Sequence, residues 1–139
     1  MQNEEVNELL DHCRNYAEEL LMETGELFPF GALMDTEGRS HHREVEIDPK
    51  HVPSNGMIIE MLLEYFNEEC EEHDARAYAI ACEASVQLDE NTTTDAISID
   101  VHHKDVADIP MYYFPFKFLE DGAVKFGEAF AVKRSESLK

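Results

Sequence analysis

The sequence predicts an α+β domain, an antiparallel β-sheet of about six strands with two amphipathic helices, in the chain order α-β-β-α-β-β-β-β. Three observations predict it. Apolar residues recur at three- and four-residue steps around 4–23 and 56–72, the signature of a one-sided helix. Six other stretches are rich in aliphatic and aromatic residues and are bounded by Gly, Asp, Asn or Pro, as strands are. Asp121-Gly122 lies between two of those stretches, and Asp-Gly between apolar runs is a strong hairpin signal.

The first helix presents Val6, Leu9, Leu10, Cys13, Ala17, Leu20 and Leu21 on one face. Asn3 can cap it, Glu4 and Glu5 suit the positive end of its dipole, and Gly25 ends it. Residues 28–35 and 43–48 form a hairpin around "DTEG", with Gly38 in the left-handed position and His41 and His42 in or beside the turn. The second helix, capped by Ser54 or Asn55, turns Ile59, Leu62, Leu63, Phe66 and Cys70 inward. Four strands follow within 75–86, 95–103, 111–119 and 123–133. "LDENTTTD" reads as an exposed loop and "RSESLK" as a frayed tail. No linker interrupts the chain, so residues 1–139 are expected to form one domain.

The tripeptide Phe-Pro-Phe occurs twice, at 28–30 and 114–116, and puts a proline where a strand should run. A two-residue turn at Asp121-Gly122 makes Glu120 and Ala123 the closing pair. Phe116 then faces Gly127, Phe114 faces Ala129 and Tyr112 faces Ala131, so large rings meet small partners. In this register Pro115 sits opposite Glu128 in a non-hydrogen-bonded pair. Its missing N–H then requires an edge, a bulge or the end of a neighbour on the other side. One face of the hairpin carries Tyr112, Phe114, Phe116 and Phe118. The other carries Tyr113, Leu119, Val124, Phe126, Phe130 and Val132.

The stretches "GELFPFGALMDTEG", "DAISIDVHH" and "YYFPFKFLEDGAVKFGEAFA", in this order, resemble a group of small bacterial proteins with GEFxPFGA-like and FGExF-like segments. The resemblance spans most of the chain. His102 stands where the group carries a carboxylate, and the group brings no assigned activity with it.

The charge excludes more than it suggests. Thirty-one acidic residues against 11 basic ones give a net charge of -20. Such a chain is unsuited to neutralising phosphates, so neither nucleic acid nor an anionic membrane is an expected partner. A solvated acidic surface, or an acidic face that meets a basic protein partner, remains. Cys13, Cys70 and Cys82 are odd in number and lack C-x-x-C spacing, as expected of reduced thiols in the cytoplasm. The N-terminus lacks a signal-peptide pattern, and no apolar run reaches the length of a membrane span.

No histidine spacing matches a metal site, so no metal or cofactor is expected. Ser98, Asp100 and His102 alternate along one strand, where residues two apart are about 7 Å from one another, too far for a triad. Glu128 interrupts an apolar stripe, and Lys117 lies diagonal to it across the hairpin. Glu128, Lys117, Asp100 and His103 are therefore the candidate ligand-binding residues, and Tyr112, Phe114, Phe116 and Phe118 the candidate interaction surface. The leading expectation is a non-enzymatic interaction module, most simply a homodimer, because two helices can hardly cover both faces of the sheet; the alternative is that one helix covers each face and the chain is a monomer. One rival is a small enzyme or ligand binder using Glu128, Asp100 and His103 in a cleft. A second is an acidic inhibitor or immunity-type protein for a basic partner. A deep closed pocket favours the enzyme, and a flat apolar sheet face favours the module.

Overall fold

A computed structural model describes residues 3–133 of the chain. Its first helix, α1, runs Glu4–Thr24, and Asn3 caps it by accepting from the backbone N–H groups of Glu5 and Val6 at 2.8 and 3.2 Å. Gly25 closes it in the left-handed region at φ 74°, donating its N–H to Leu21. The second helix, α2, runs Asn55–His73; Ser54 is the cap, and its hydroxyl accepts from the Met57 N–H. Between them lie strands β1 (Phe30–Met34) and β2 (Ser40–Glu44). After α2 come β3 (Ala77–Asp89), β4 (Thr92–His103), β5 (Met111–Phe118), β6 (Val124–Phe126) and β7 (Phe130–Val132). The class is α+β as expected, with seven strands because the last one is broken in two.

All the strands join one antiparallel sheet in the order β2-β1-β3-β4-β5-β6, with β7 also paired to β5. One helix packs on each face. The α1 side holds the larger core, where Leu9, Leu10, Cys13 and Leu21 of the helix meet Phe30, Ala79, Ile97, Ile99 and Phe116 of the sheet. The α2 side is smaller: Ile58, Leu62 and Phe66 pack on Leu33 of β1 and on Tyr78 and Ile80 of β3, with no residue from β4 or β5.

Two expected loops are shorter than the sequence suggested. Asp35 and Arg39 close the first hairpin, and the Asp35 side chain accepts from the N–H groups of Glu37 and Arg39. The strand therefore begins at Ser40, and His41 and His42 stand on opposite faces of β2 rather than in the turn. Most of "LDENTTTD" is ladder: β-branched Thr92, Thr93 and Thr94 pair with β3, leaving Glu90 and Asn91 as the turn. The predicted tail at 134–139 lies outside the described residues.

The terminal hairpin corrects the predicted register and then returns to it. Leu119, not Glu120, closes the turn with Ala123, and Gly122 takes the left-handed position at φ 87° in a three-residue loop. That one-residue shift pairs Phe116 with Phe126 and Phe118 with Val124, so Val124 and Phe126 join the α1 face instead of the opposite one. Farther on, Tyr112 pairs with Ala131 as predicted, and Tyr113 with Phe130. A bulge absorbs the difference: between the Gly127 N–H to Pro115 C=O bond and the Tyr113–Phe130 pair, Phe114 opposes both Glu128 and Ala129. Pro115 turns its carbonyl, and hence the position of its missing N–H, toward this bulge. A bulge was one of the expected solutions, but it lies on the last strand's side.

Candidate functional site

The expected interaction rings lie under α1. Phe116 is 3% exposed, Tyr112 and Phe114 pack half-buried against the same core, and only Phe118 is largely open. Arg14 of α1 stacks its guanidinium over Phe126, 5.5 Å from the ring centre, which closes that side further. The opposite face is different. There, among the described residues, α2 packs on β1 and β3, and no helix lies on β4, β5 or β7. Tyr113 and Phe130 stack on this side at 5.4 Å between ring centres. Val132 is 46% exposed beside them.

The candidate ligand residues are not brought together. Glu128 sits exposed at the bulge, and Lys117 pairs across the strands with Lys125 rather than meeting Glu128. Asp100 faces the α2 side with Ile80, whereas His103 faces α1. Asp100 does contact His102, Nε2 to Oδ1 at 3.0 Å, because long side chains reach along a strand where Cα spacing suggests they cannot. Ser98 takes no part. Its hydroxyl lies 3.4 Å from the Cys82 carbonyl and 3.2 Å from the Cys82 sulfur, so no nucleophile–base pair forms.

His103 belongs to a three-residue pin. Its Nε2–H donates to Glu5 at 2.7 Å, and its Nδ1 accepts the Asp105 N–H at 3.0 Å, which fixes a neutral tautomer. Arg76 donates to the other Glu5 oxygen. The His103 hydrogen bond, with the Arg76 guanidinium adding to it, holds the Glu5 carboxyl below its usual range. The His103 side chain is 3% exposed with both ring nitrogens used, so the group ties α1 to β4 and has no free valence for acid–base work.

Beside the pin opens a cleft of about 910 Å3 between the end of α2, the start of β3 and the loop after β4. Tyr78 and His102 form part of its wall, stacked at 4.9 Å, and Lys104 and Lys133 stand with Asp74 and Asp108 around it. It contains His103 but neither Asp100 nor Glu128. A second cluster, between α1 and β2, is aromatic: His12 Nε2 meets His42 Nδ1 at 3.0 Å, and the Tyr16 hydroxyl donates to Glu44 at 2.6 Å. Burial, followed by the charge of His42, lowers the His12 pKa. His42 Nε2 is buried 3.3 Å from Glu44 but poorly aligned to bond it.

Among the described residues no group of three or more His, Cys, Asp or Glu is arranged to hold a metal ion, and no helix is long and apolar enough to cross a membrane. No family model matches this chain, and neither the curated proteins nor the solved structures yield a significant match. Sequence reasoning missed Glu5, Arg76 and the His12–His42 pair. Their partners lie far apart in the chain, 98 residues in the case of Glu5 and His103, and no local pattern marks them.

Proposed function

We propose that the protein is a non-enzymatic interaction module that self-associates through the helix-free half of its α2-side face. One observation carries this reading: the α2-side core draws only on β1 and β3 of the sheet. Five strand spacings of about 4.8 Å make a sheet about 24 Å across, and a helix with its side chains is about 10 Å wide. On the helix-free part, Val132 is 46% exposed and Tyr113 and Phe130 are half-buried. The expected result is a two-fold dimer that dissociates in the micromolar range or above.

The surface thus differs from the predicted one, and one helix does lie on each face, the arrangement expected of a monomer; the proposal rests on α2 covering only β1 and β3 of its side. The separation of Asp100, His103 and Glu128 argues against the enzymatic alternative. Sedimentation velocity from 1 to 300 μM tests the proposal. The weight-average mass rises above the 16.0 kDa of one chain, and Phe130→Glu abolishes the rise while leaving the circular dichroism spectrum intact. A single-chain mass at every concentration overturns it.

A further inference from the structure

The first Phe-Pro-Phe splits its rings between inside and outside. Phe30 is buried in the α1-side core, whereas Phe28 is 42% exposed. Phe28 lines a groove of about 410 Å3 at the open end of the β1–β2 hairpin, together with Leu20 of α1 and with Val45, Ile47 and Val52, which follow β2 in the chain. Every titratable residue lining the groove is acidic: Glu26 at one side, Glu44 at the other. Further carboxylates extend this field. The Tyr16 phenol is pushed up to about 12, first by donating to Glu44, then by burial, with the charges of Glu44, Glu19 and Glu23 adding to both. Burial raises the Glu83 carboxyl, and Asp95 and Glu26 raise it further.

We infer that this groove is a docking site for an extended basic segment of another protein, with apolar side chains held by Phe28, Val45, Ile47 and Val52 and cationic ones by Glu26 and Glu44. The alternation of side chains along an extended peptide sends apolar groups one way and charged groups the other. The chemistry excludes the other occupants. Phosphate groups of lipid or nucleic acid meet only carboxylates here. A second copy of this chain, with 11 basic residues against 31 acidic ones, offers few cationic side chains to Glu26 and Glu44. A basic partner is instead drawn in by the field of the whole molecule, with an on-rate that falls as salt rises. The site lies at the end of the β1–β2 hairpin, away from β7, so it stands whether or not the chain dimerises.

Three synthetic ten-residue peptides test the inference on the full chain by amide and methyl NMR: alternating Lys-Val, alternating Lys-Ser and alternating Glu-Val. Lys-Val is expected to shift Leu20, Phe28, Val45, Ile47 and Val52 at millimolar peptide or below, and Lys-Ser to bind about tenfold more weakly. Glu-Val does not bind. Phe28→Ala, at an exposed position, removes the preference for Lys-Val over Lys-Ser, and Glu26→Gln weakens Lys-Val about threefold at low salt. Glu60→Gln on α2 serves as the control and changes nothing. Shifts spread over the outer faces of both helices, with Glu60→Gln as costly as Glu26→Gln, show diffuse charge attraction and overturn the site. So does the absence of any shift.

Discussion

Gly31, in the first Phe-Pro-Phe-Gly-Ala segment, sets how closely α2 can approach the sheet. A Cβ at this position would stand 2.3 Å from the Ala79 carbonyl oxygen and 2.8 Å from Cε2 and Cζ of Phe66. Carbon atoms at ordinary contact are about 3.5–4.0 Å apart, so the ring must withdraw by roughly 1 Å. Phe66 has no room to do so: it is fully buried, and its ring stacks on Tyr78 at 5.0 Å between centres. The Ala79 carbonyl is backbone, so the β1–β3 ladder must shift as well. Overpacking of this kind costs about 1–3 kcal/mol, and with a ring and a carbonyl both displaced Gly31→Ala is expected at the upper end. At about 4 °C per kcal/mol for a chain of this size, Tm falls by roughly 10 °C. Urea unfolding followed by circular dichroism measures it, with the midpoint lowered and the slope unchanged. Phe66→Leu relieves the ring's share, so the double variant should be less destabilised than the sum of the singles by about 1 kcal/mol. A loss under about 0.5 kcal/mol for Gly31→Ala, or strict additivity of the pair, would refute the close packing of α2 on β1.

Gly127→Ala is expected to behave oppositely, within about 0.5 kcal/mol of the parent, because its Cβ would meet Pro115 Cβ at an ordinary 3.7 Å; a large loss in the same urea assay contradicts the bulge geometry. Glu5→Gln should cost about 1–2 kcal/mol by weakening the charged bonds to His103 and Arg76. The Glu5 carboxyl is lowered in the fold, so its contribution is complete above the unfolded value near 4.5 and is lost as pH falls through the folded value. Thermal melts from pH 6 to 3 should therefore show a shallower acid limb in Glu5→Gln than in the parent. His12 is also lowered, so its neutral form contributes fully above about 6.5 and less as pH drops below that; His12→Gln should flatten the parent's decline in Tm between pH 7 and 5. Burial pushes the Cys13 thiol up to about 12, and a thiol reagent at pH 8 should modify it only as the domain unfolds, which mass spectrometry can follow.

Local chemistry alone determined the two helices, their caps at Asn3 and Ser54, the Gly25 stop and the left-handed Gly38, because each depends on residues within one or two turns of chain. It also showed that Pro115 requires an irregularity in the sheet, and the predicted Tyr112–Ala131 pair is met because the bulge cancels the slip at the turn. It did not determine the turn at Asp121-Gly122. Two- and three-residue loops both satisfy that dipeptide, and a one-residue slip moves Val124 and Phe126 to the other face, where α1 and Arg14 cover them. Nor could periodicity say which side of the sheet each helix takes, since an amphipathic stripe specifies only that something apolar lies against it. Tertiary structure decided that by placing one helix on each face, with α2 over β1 and β3. The same placement decided the sites. It put Phe116 in the core with Tyr112 and Phe114 half-buried against it, joined Glu5 to His103 across 98 residues, and left α2 off the strands that carry Tyr113 and Phe130 and a groove at Phe28. Exposure and long-range pairing are properties of the packed chain, and no stretch of sequence holds them alone.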